Sequence, residues 1–253
     1  MPDTAFKVVI PARYASTRLP GKPLADIGGK PLIRHVYEAA RSSGAETVIV
    51  ATDDQRIHDA AVGFGARVIM TSSQHASGTE RVAEVVTRLD ERDDAVIVNV
   101  QGDEYGLAPA LIDQAAGLLA ANSNKSMATL CEPIVTGAEL GDPHVVKVVM
   151  NHAAEAIYFS RAPIPSGCMD AGAGDARCVA YRHLGIYAYR AGFLRKFAEM
   201  PPCPLELSER LEQLRALYYG FPILVAPACA TGAIGVDSVE DLERARRVET
   251  VRG

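Results

Sequence analysis

Apolar and polar positions alternate in blocks along the first hundred residues. Phe6-Lys7-Val8-Val9-Ile10 reads as a short apolar strand, followed by a loop from Pro11 to Lys30. Pro31 suits the first turn of a helix whose buried stripe is Leu32, Ile33, Val36, Tyr37 and Ala40. Thr47-Val48-Ile49-Val50-Ala51 is a second strand, and Asp53 or Asp54 can cap a helix around Arg56 to Val62. Arg67 to Met70 is a third strand and Thr79 to Arg88 a helix. Ala95 to Val100 is a fourth strand, apolar enough to be buried on both faces. Strands alternating with helices in this way predict an α/β fold, a mostly parallel sheet covered by helices.

The second half is less regular. Leu107 to Ala121 reads as a helix, and Val145–Met150 and Ala154–Phe159 as strands joined by a polar Asn151-His152 turn. Residues 166–178 are loop by composition, and Leu184–Tyr189 is another strand. Leu205–Tyr219 reads as one amphipathic helix with Leu207, Leu211, Leu214 and Leu217 on one face. Ile223–Val225 is a strand, and Ser238 caps a last helix running to about Val248. No repeat or long linker divides the chain. The expected organisation is a single domain. A nucleotide-binding body covers about 1–125 and 221–253, with an inserted sub-region at about 126–220.

Composition narrows the function classes. The chain has 253 residues, 48% hydrophobic and 23% charged, which suits a globular protein rather than a disordered one. Its net charge of −5 argues against a nucleic-acid binder. No apolar run approaches the roughly 18 residues of a membrane span, and the N-terminus lacks the basic start of a signal peptide. No nucleic-acid partner, no membrane and a cytoplasmic location are therefore expected. The five cysteines (131, 168, 178, 203 and 229) are odd in number and have no CxxC spacing. Free thiols are expected rather than a disulfide framework or a zinc site.

Three segments carry candidate chemistry. Pro11 to Leu24 follows the first strand, where open α/β sheets bind ligands. It holds Arg13, Arg18 and Lys22 among small residues, with a Pro20-Gly21 pair, which suits a polyphosphate. It is neither a Walker loop nor GxGxxG. Asn99-Val100-Gln101-Gly102-Asp103-Glu104 follows the buried fourth strand, so Asp103 should reach the same sheet edge. A carboxylate there can hold Mg²⁺ together with substrate phosphates, or simply cap the next helix. Asp237 precedes a capping-box-like Ser238/Asp241 pair and is a candidate second metal ligand. Ser77-Gly78-Thr79-Glu80-Arg81 opens a helix, where a plain cap and base recognition would look alike. Arg161 and His183 are polar groups at strand ends, which structure alone can explain.

Together these segments resemble the 3-deoxy-manno-octulosonate cytidylyltransferases. The matching blocks are IPARYASTRLPGKPL (10–24), ATDD (51–54), SGTERVAEV (77–85), IVNVQGDE (97–104), VKVV (146–149), YFSRAPIP (158–165), RHLGIYAYR (182–190), LE-x-x-E-x-LEQLR (205–215) and GVD-x-x-EDLE (235–243). The resemblance implies a nucleotidyltransferase-type, Rossmann-like open sheet with an inserted, strand-bearing sub-region for dimerisation and acceptor binding. It implies transfer of CMP from CTP to an acidic sugar, with loss of pyrophosphate. It further implies Mg²⁺ on Asp103 and Asp237, with Lys22 joining them as catalytic residue. Ala12, Arg13, Arg18, Lys22, Ser77 and Gly78 fall on nucleotide-binding positions. Gln101, Arg161, His183, Tyr187, Glu206, Glu209 and Gln213 fall on the sugar-acid side. A homodimer is implied as well.

The chain departs from that pattern at three places. Tyr105 and Gly106 replace a proline and its apolar neighbour, the loop after Pro165 is rich in Gly and Ala (171–176), and Thr231 to Ile234 is unusual. Tyr105 is accordingly a candidate for acceptor choice, adding a ring and a hydroxyl where proline would present a flat wall. A small phosphonate such as phosphonoformate is the alternative acceptor. A non-catalytic nucleotide-binding paralogue is the alternative from another class.

Overall fold

The first strand, β1 (Phe6–Ala12), sends Val8 and Ile10 into one apolar cluster and Val9 into another. The same alternation holds in β4 (Thr47–Thr52) and β6 (Val96–Asn99), so this sheet is buried on both faces. The computed structural model describes residues 5–15, 19–168 and 179–252. Between β1 and β4 lie a 3-10 turn (Lys22–Leu24), the two-residue strands β2 (Asp26–Ile27) and β3 (Lys30–Pro31), and helix α1 (Leu32–Arg41). Then follow α2 (Gln55–Gly63), β5 (Arg67–Met70), α3 (Gly78–Arg88) and, after β6, β7 (Glu104–Tyr105) and α4 (Pro109–Ala120). Asp54, not Asp53, caps α2, accepting from the Arg56 N–H at 2.9 Å. Asp53 is instead engaged by the buried Arg81, 3.0 Å away.

After α4 come β8 (Met127–Pro133), α5 (Gly137–Gly141), β9 (Lys147–Met150), β10 (Ala156–Ser160), β11 (Tyr181–Arg190), α6 (Ala191–Glu199), α7 (Pro204–Glu209) and α8 (Gln213–Tyr218). The chain closes with β12 (Ile223–Pro227), β13 (Ile234–Gly235) and α9 (Val239–Arg252). The sheet path is β10-β9-β11-β6-β1-β4-β5, with β8 and β12 joining through β11. It is parallel through β6-β1-β4-β5 and turns antiparallel at β11. Helices α1, α2, α4 and α9 cover one face, and α3, α6 and α8 the other. Among the described residues, no helix is long and apolar enough to cross a membrane.

Three features depart from the pattern-based reading. β8 and α6 are elements it did not mark. β8 is a seven-residue run ending in proline, and its strand character comes from pairing with β11 and β12. The single helix expected over Leu205–Tyr219 is two short ones, because Arg210 adopts a left-handed conformation (φ 55°). Cys131, Cys203 and Cys229 are free thiols as expected, but Cys168 is disulfide-bonded. Bridging needs only a suitable Cα separation in the fold, which sequence spacing does not report. The Gly/Ala stretch 171–176 lies outside the described residues.

Candidate active site

Lys22 stands at the centre of the site. It begins the 3-10 turn after β1, where Gly21 takes φ 71° and sits too close to the Tyr14 ring for any Cβ. Gly102 plays a similar part across the gap: a Cβ there would come within 2.9 Å of the Pro11 carbonyl. Glycine thus lets the loops after β1 and β6 touch. Asp103 then arrives beside Lys22, and its carboxylate accepts from the Lys22 ammonium. Asp237, just before α9, accepts from the same ammonium at 2.9 Å. Backbone ties hold the two carboxylates together. The Val236 N–H donates to the Asp103 carbonyl at 3.0 Å, and β13 pairs with β7. Burial works against the lysine charge, yet the two aspartates prevail and raise its pKa. Glu104, next in line, is pushed up to about 8 by burial and then by Asp103 and Asp237.

Two clefts meet at this group. One, about 400 Å³, is lined by Ala12, Arg13, Lys22, Ser77, Gly78 and Asp103 among others. The other, about 680 Å³, runs past Glu104, Asp142, Arg182 and His183 to Arg244. Gln101 and Asp237 line both. The smaller cleft therefore collects every described residue expected to bind nucleotide; Arg18 lies outside the described residues. Ser77 does cap α3, accepting from the Glu80 N–H at 3.2 Å, and the same serine faces the cleft. Gln101 is oriented by Asn99, whose Oδ1 accepts from its amide at 3.2 Å. The buried Asn99 Nδ2 has no acceptor among the described residues.

Of the residues expected on the acceptor side, Gln101 and His183 line the larger cleft. Burial pushes His183 down to about 3, so it is a neutral imidazole at physiological pH. The Thr129 hydroxyl donates to the Ile186 carbonyl at 2.7 Å, leaving its lone pair for the His183 Nε2–H at 3.0 Å. The other six lie outside the lining of both clefts. Tyr187 packs at a tilt against His183, ring centroids 5.1 Å apart, and Gln213 is buried. Glu209 accepts from the Ser160 hydroxyl at 2.7 Å and the Arg161 N–H at 2.9 Å, while the Arg161 guanidinium donates to the Glu209 carbonyl. Glu206 closes a capping box with Cys203 at the start of α7, accepting from the Cys203 N–H, and pairs with Arg215 at 2.6 Å.

Tyr105 requires a correction. Its ring is 2% exposed, packs edge-on against His35 and donates its hydroxyl to Glu249. The β7–β13 pairing turns this side chain into the core beneath α1 and α9, away from the clefts. It does not shape an acceptor wall.

The structure also reveals residues that the pattern did not single out. Glu212 accepts from the hydroxyls of Ser77 and Thr79, the latter at 2.7 Å. Burial raises its pKa despite those donors. It sits in the LEQLR block, but the break at Arg210 is what turns it toward α3. Arg182 lines the larger cleft and donates to Glu132 at 2.7 Å, whose other oxygen accepts from the Gly232 N–H at 2.6 Å.

Comparisons with known proteins bear on the family. The cytidylyltransferase family profile matches residues 7–225. The 3-deoxy-manno-octulosonate cytidylyltransferase of Thioalkalivibrio sulfidiphilus is 53% identical over 249 residues, covering 96% of this chain and 98% of that protein. Its counterpart in Pseudomonas fluorescens is 55% identical over 251 residues, covering 97% and 98%. A CMP:2-keto-3-deoxy-manno-octonic acid synthetase solved with CTP superposes with a TM-score of 0.90. It has 40% identity, over 98% of this chain and 100% of that one. With a family match over most of its length and relatives this similar end to end, the chain belongs to the cytidylyltransferase family.

Proposed function

We propose that the protein transfers CMP from CTP to the acidic sugar 3-deoxy-manno-octulosonate, releasing pyrophosphate. The observation that carries this reading is the convergence of Lys22, Asp103 and Asp237 where the two clefts meet. A reaction joining two substrates needs such a junction. The anomeric hydroxyl of the sugar acid loses its proton to solvent as it attacks the α-phosphorus, the bond to the bridging oxygen breaks, and the electron pair leaves with pyrophosphate.

The smaller cleft takes the nucleotide. Arg13, Arg18 and Lys22 hold the triphosphate as charge-assisted donors. Ser77, Gly78 and the backbone at Ala12 meet the ribose and pyrimidine, where unpaired polar groups would reject a purine. The larger cleft takes the sugar acid, with Gln101 at the junction and neutral His183 as a hydrogen-bonding group. Arg182 answers the carboxylate of the acceptor.

Asp103 and Asp237 suit Mg²⁺. Both are oxygen donors, both are partly exposed, and both already converge on one cation, the Lys22 ammonium. When bound, the ion neutralises developing phosphate charge and favours ionisation of the attacking hydroxyl. Lys22 gives up its carboxylate contacts for the triphosphate as nucleotide arrives. The segment 126–220 supplies about half of the larger cleft's lining and serves as the contact for a homodimer, the commonest closed assembly.

Pyrophosphate release measured in parallel with CTP, UTP, ATP and GTP, each with 3-deoxy-manno-octulosonate and Mg²⁺, tests the reading. Turnover should be highest with CTP. Equal or better turnover with ATP or GTP refutes it.

A further inference from the structure

Lys147 is the first residue of β9 and is fully buried. Its ammonium donates to three backbone carbonyls: Asp142 at 2.9 Å, Val145 at 2.7 Å and Arg161 at 2.7 Å. Three donors thus meet three acceptors. Two of those carbonyls belong to the turn 142–146, where the Val145 N–H also closes on the Asp142 carbonyl at 3.2 Å. Residues 142 and 144–146 of that turn line the larger cleft. The third carbonyl lies at the end of β10, on the segment that Glu209 clamps through the Arg161 N–H. Arg161 reinforces the join, donating from its guanidinium to the Pro143 carbonyl at 2.9 Å. On the other side, the His183 N–H donates to the Val146 carbonyl at 2.8 Å.

We infer that Lys147 is a positioning residue for the acceptor cleft: its ammonium sets the shape of the wall formed by 142–146. A buried cation is costly, and burial lowers its pKa accordingly. An apolar side chain of similar length would be cheaper were the carbonyls free to turn toward water. The ammonium holds them inward, which fixes the opposite side of the turn against the cleft. Lys147 touches neither substrate in this arrangement. It acts through the backbone that bounds the acceptor, leaving the nucleotide cleft on the far side of Asp103 unaffected.

This inference rests on the acceptor reading above, and its test separates the two. Steady-state kinetics with CTP and 3-deoxy-manno-octulosonate compare the wild type with Lys147→Met. The acceptor KM should rise on the order of tenfold or more, as when several hydrogen bonds lose their donor. The CTP KM should stay within about twofold, because no ligand contact changes there. Lys147→Gln, which keeps a neutral donor, should fall between. Equal losses in both KM values, or a loss confined to kcat, overturn the inference while leaving the functional reading intact. Amide exchange of the wild type supplies a measurement independent of any variant's folding. Adding 3-deoxy-manno-octulosonate should slow exchange across 142–149, and unchanged exchange there overturns the inference. A wild type that releases no pyrophosphate overturns both readings together.

Discussion

Glu212→Gln should make the protein more stable and less active at once. The Glu212 carboxylate is enclosed beside α3, and burial raises its pKa more than the Ser77 and Thr79 hydroxyls and Arg215 lower it. Glutamine matches the shape of the protonated acid. Its oxygen accepts from one hydroxyl, and the other hydroxyl can rotate to accept from the amide. Because the folded-state pKa lies above the ordinary value of 4.5, the group favours folding most at low pH. That contribution is lost as pH rises from the ordinary carboxylate range through the folded pKa. At pH 7.5 the wild type therefore carries a penalty that glutamine removes, worth about 1.4 kcal/mol per pKa unit of the rise. A gain of about 1 kcal/mol moves Tm by roughly 2–4 °C in a chain of this size. Melting curves at pH 7.5 should show that increase, and the difference should shrink toward zero near pH 4.5. Meanwhile Ser77 loses a charged acceptor, so kcat/KM for CTP should drop on the order of tenfold, about 1.4 kcal/mol. A lower Tm at pH 7.5, or a gain that persists at pH 4.5, would refute the reasoning about the buried charge.

Other consequences are simpler to state. Asp103→Asn and Asp237→Asn should each lower turnover on the order of 10³-fold with the circular dichroism unchanged, since each removes a candidate metal ligand. Chelation by EDTA should abolish activity reversibly, and more than about a tenth of wild-type rate in either variant would reject that ligand. Tyr105→Phe should cost about 1 kcal/mol of stability through the lost contact with Glu249. It should leave the acceptor KM unchanged, as steady-state kinetics would check. Light scattering at micromolar concentration should give the mass of two chains, and a single-chain mass would remove the dimer.

Local pattern was sufficient for much of this molecule. The parallel strands β1, β4 and β6 are apolar runs rich in β-branched residues and buried on both faces, and such runs identify themselves. Ligand loops at the carboxyl ends of those strands follow from topology, so the order of strands and loops along the chain already makes neighbours of Arg13, Lys22, Ser77 and Asp103. The caps at Ser77 and Ser238 are written in adjacent residues, whereas the choice of Asp54 over Asp53 was left to the fold. What tertiary structure decided is where a side chain points once two distant segments pair. Tyr105 looked like an acceptor residue by position, yet pairing with Ile234 turns its ring into the core. Arg210 interrupts a run of perfect helical period, and that kink carries Glu212 to Ser77 and Thr79. Lys147 sits in a strand pattern that says nothing of three carbonyls gathered from residues 142, 145 and 161. Apolar periodicity reports burial, which is an additive property of each residue. Hydrogen-bonded partners depend on direction and on segments brought together by folding, and these no local pattern contains.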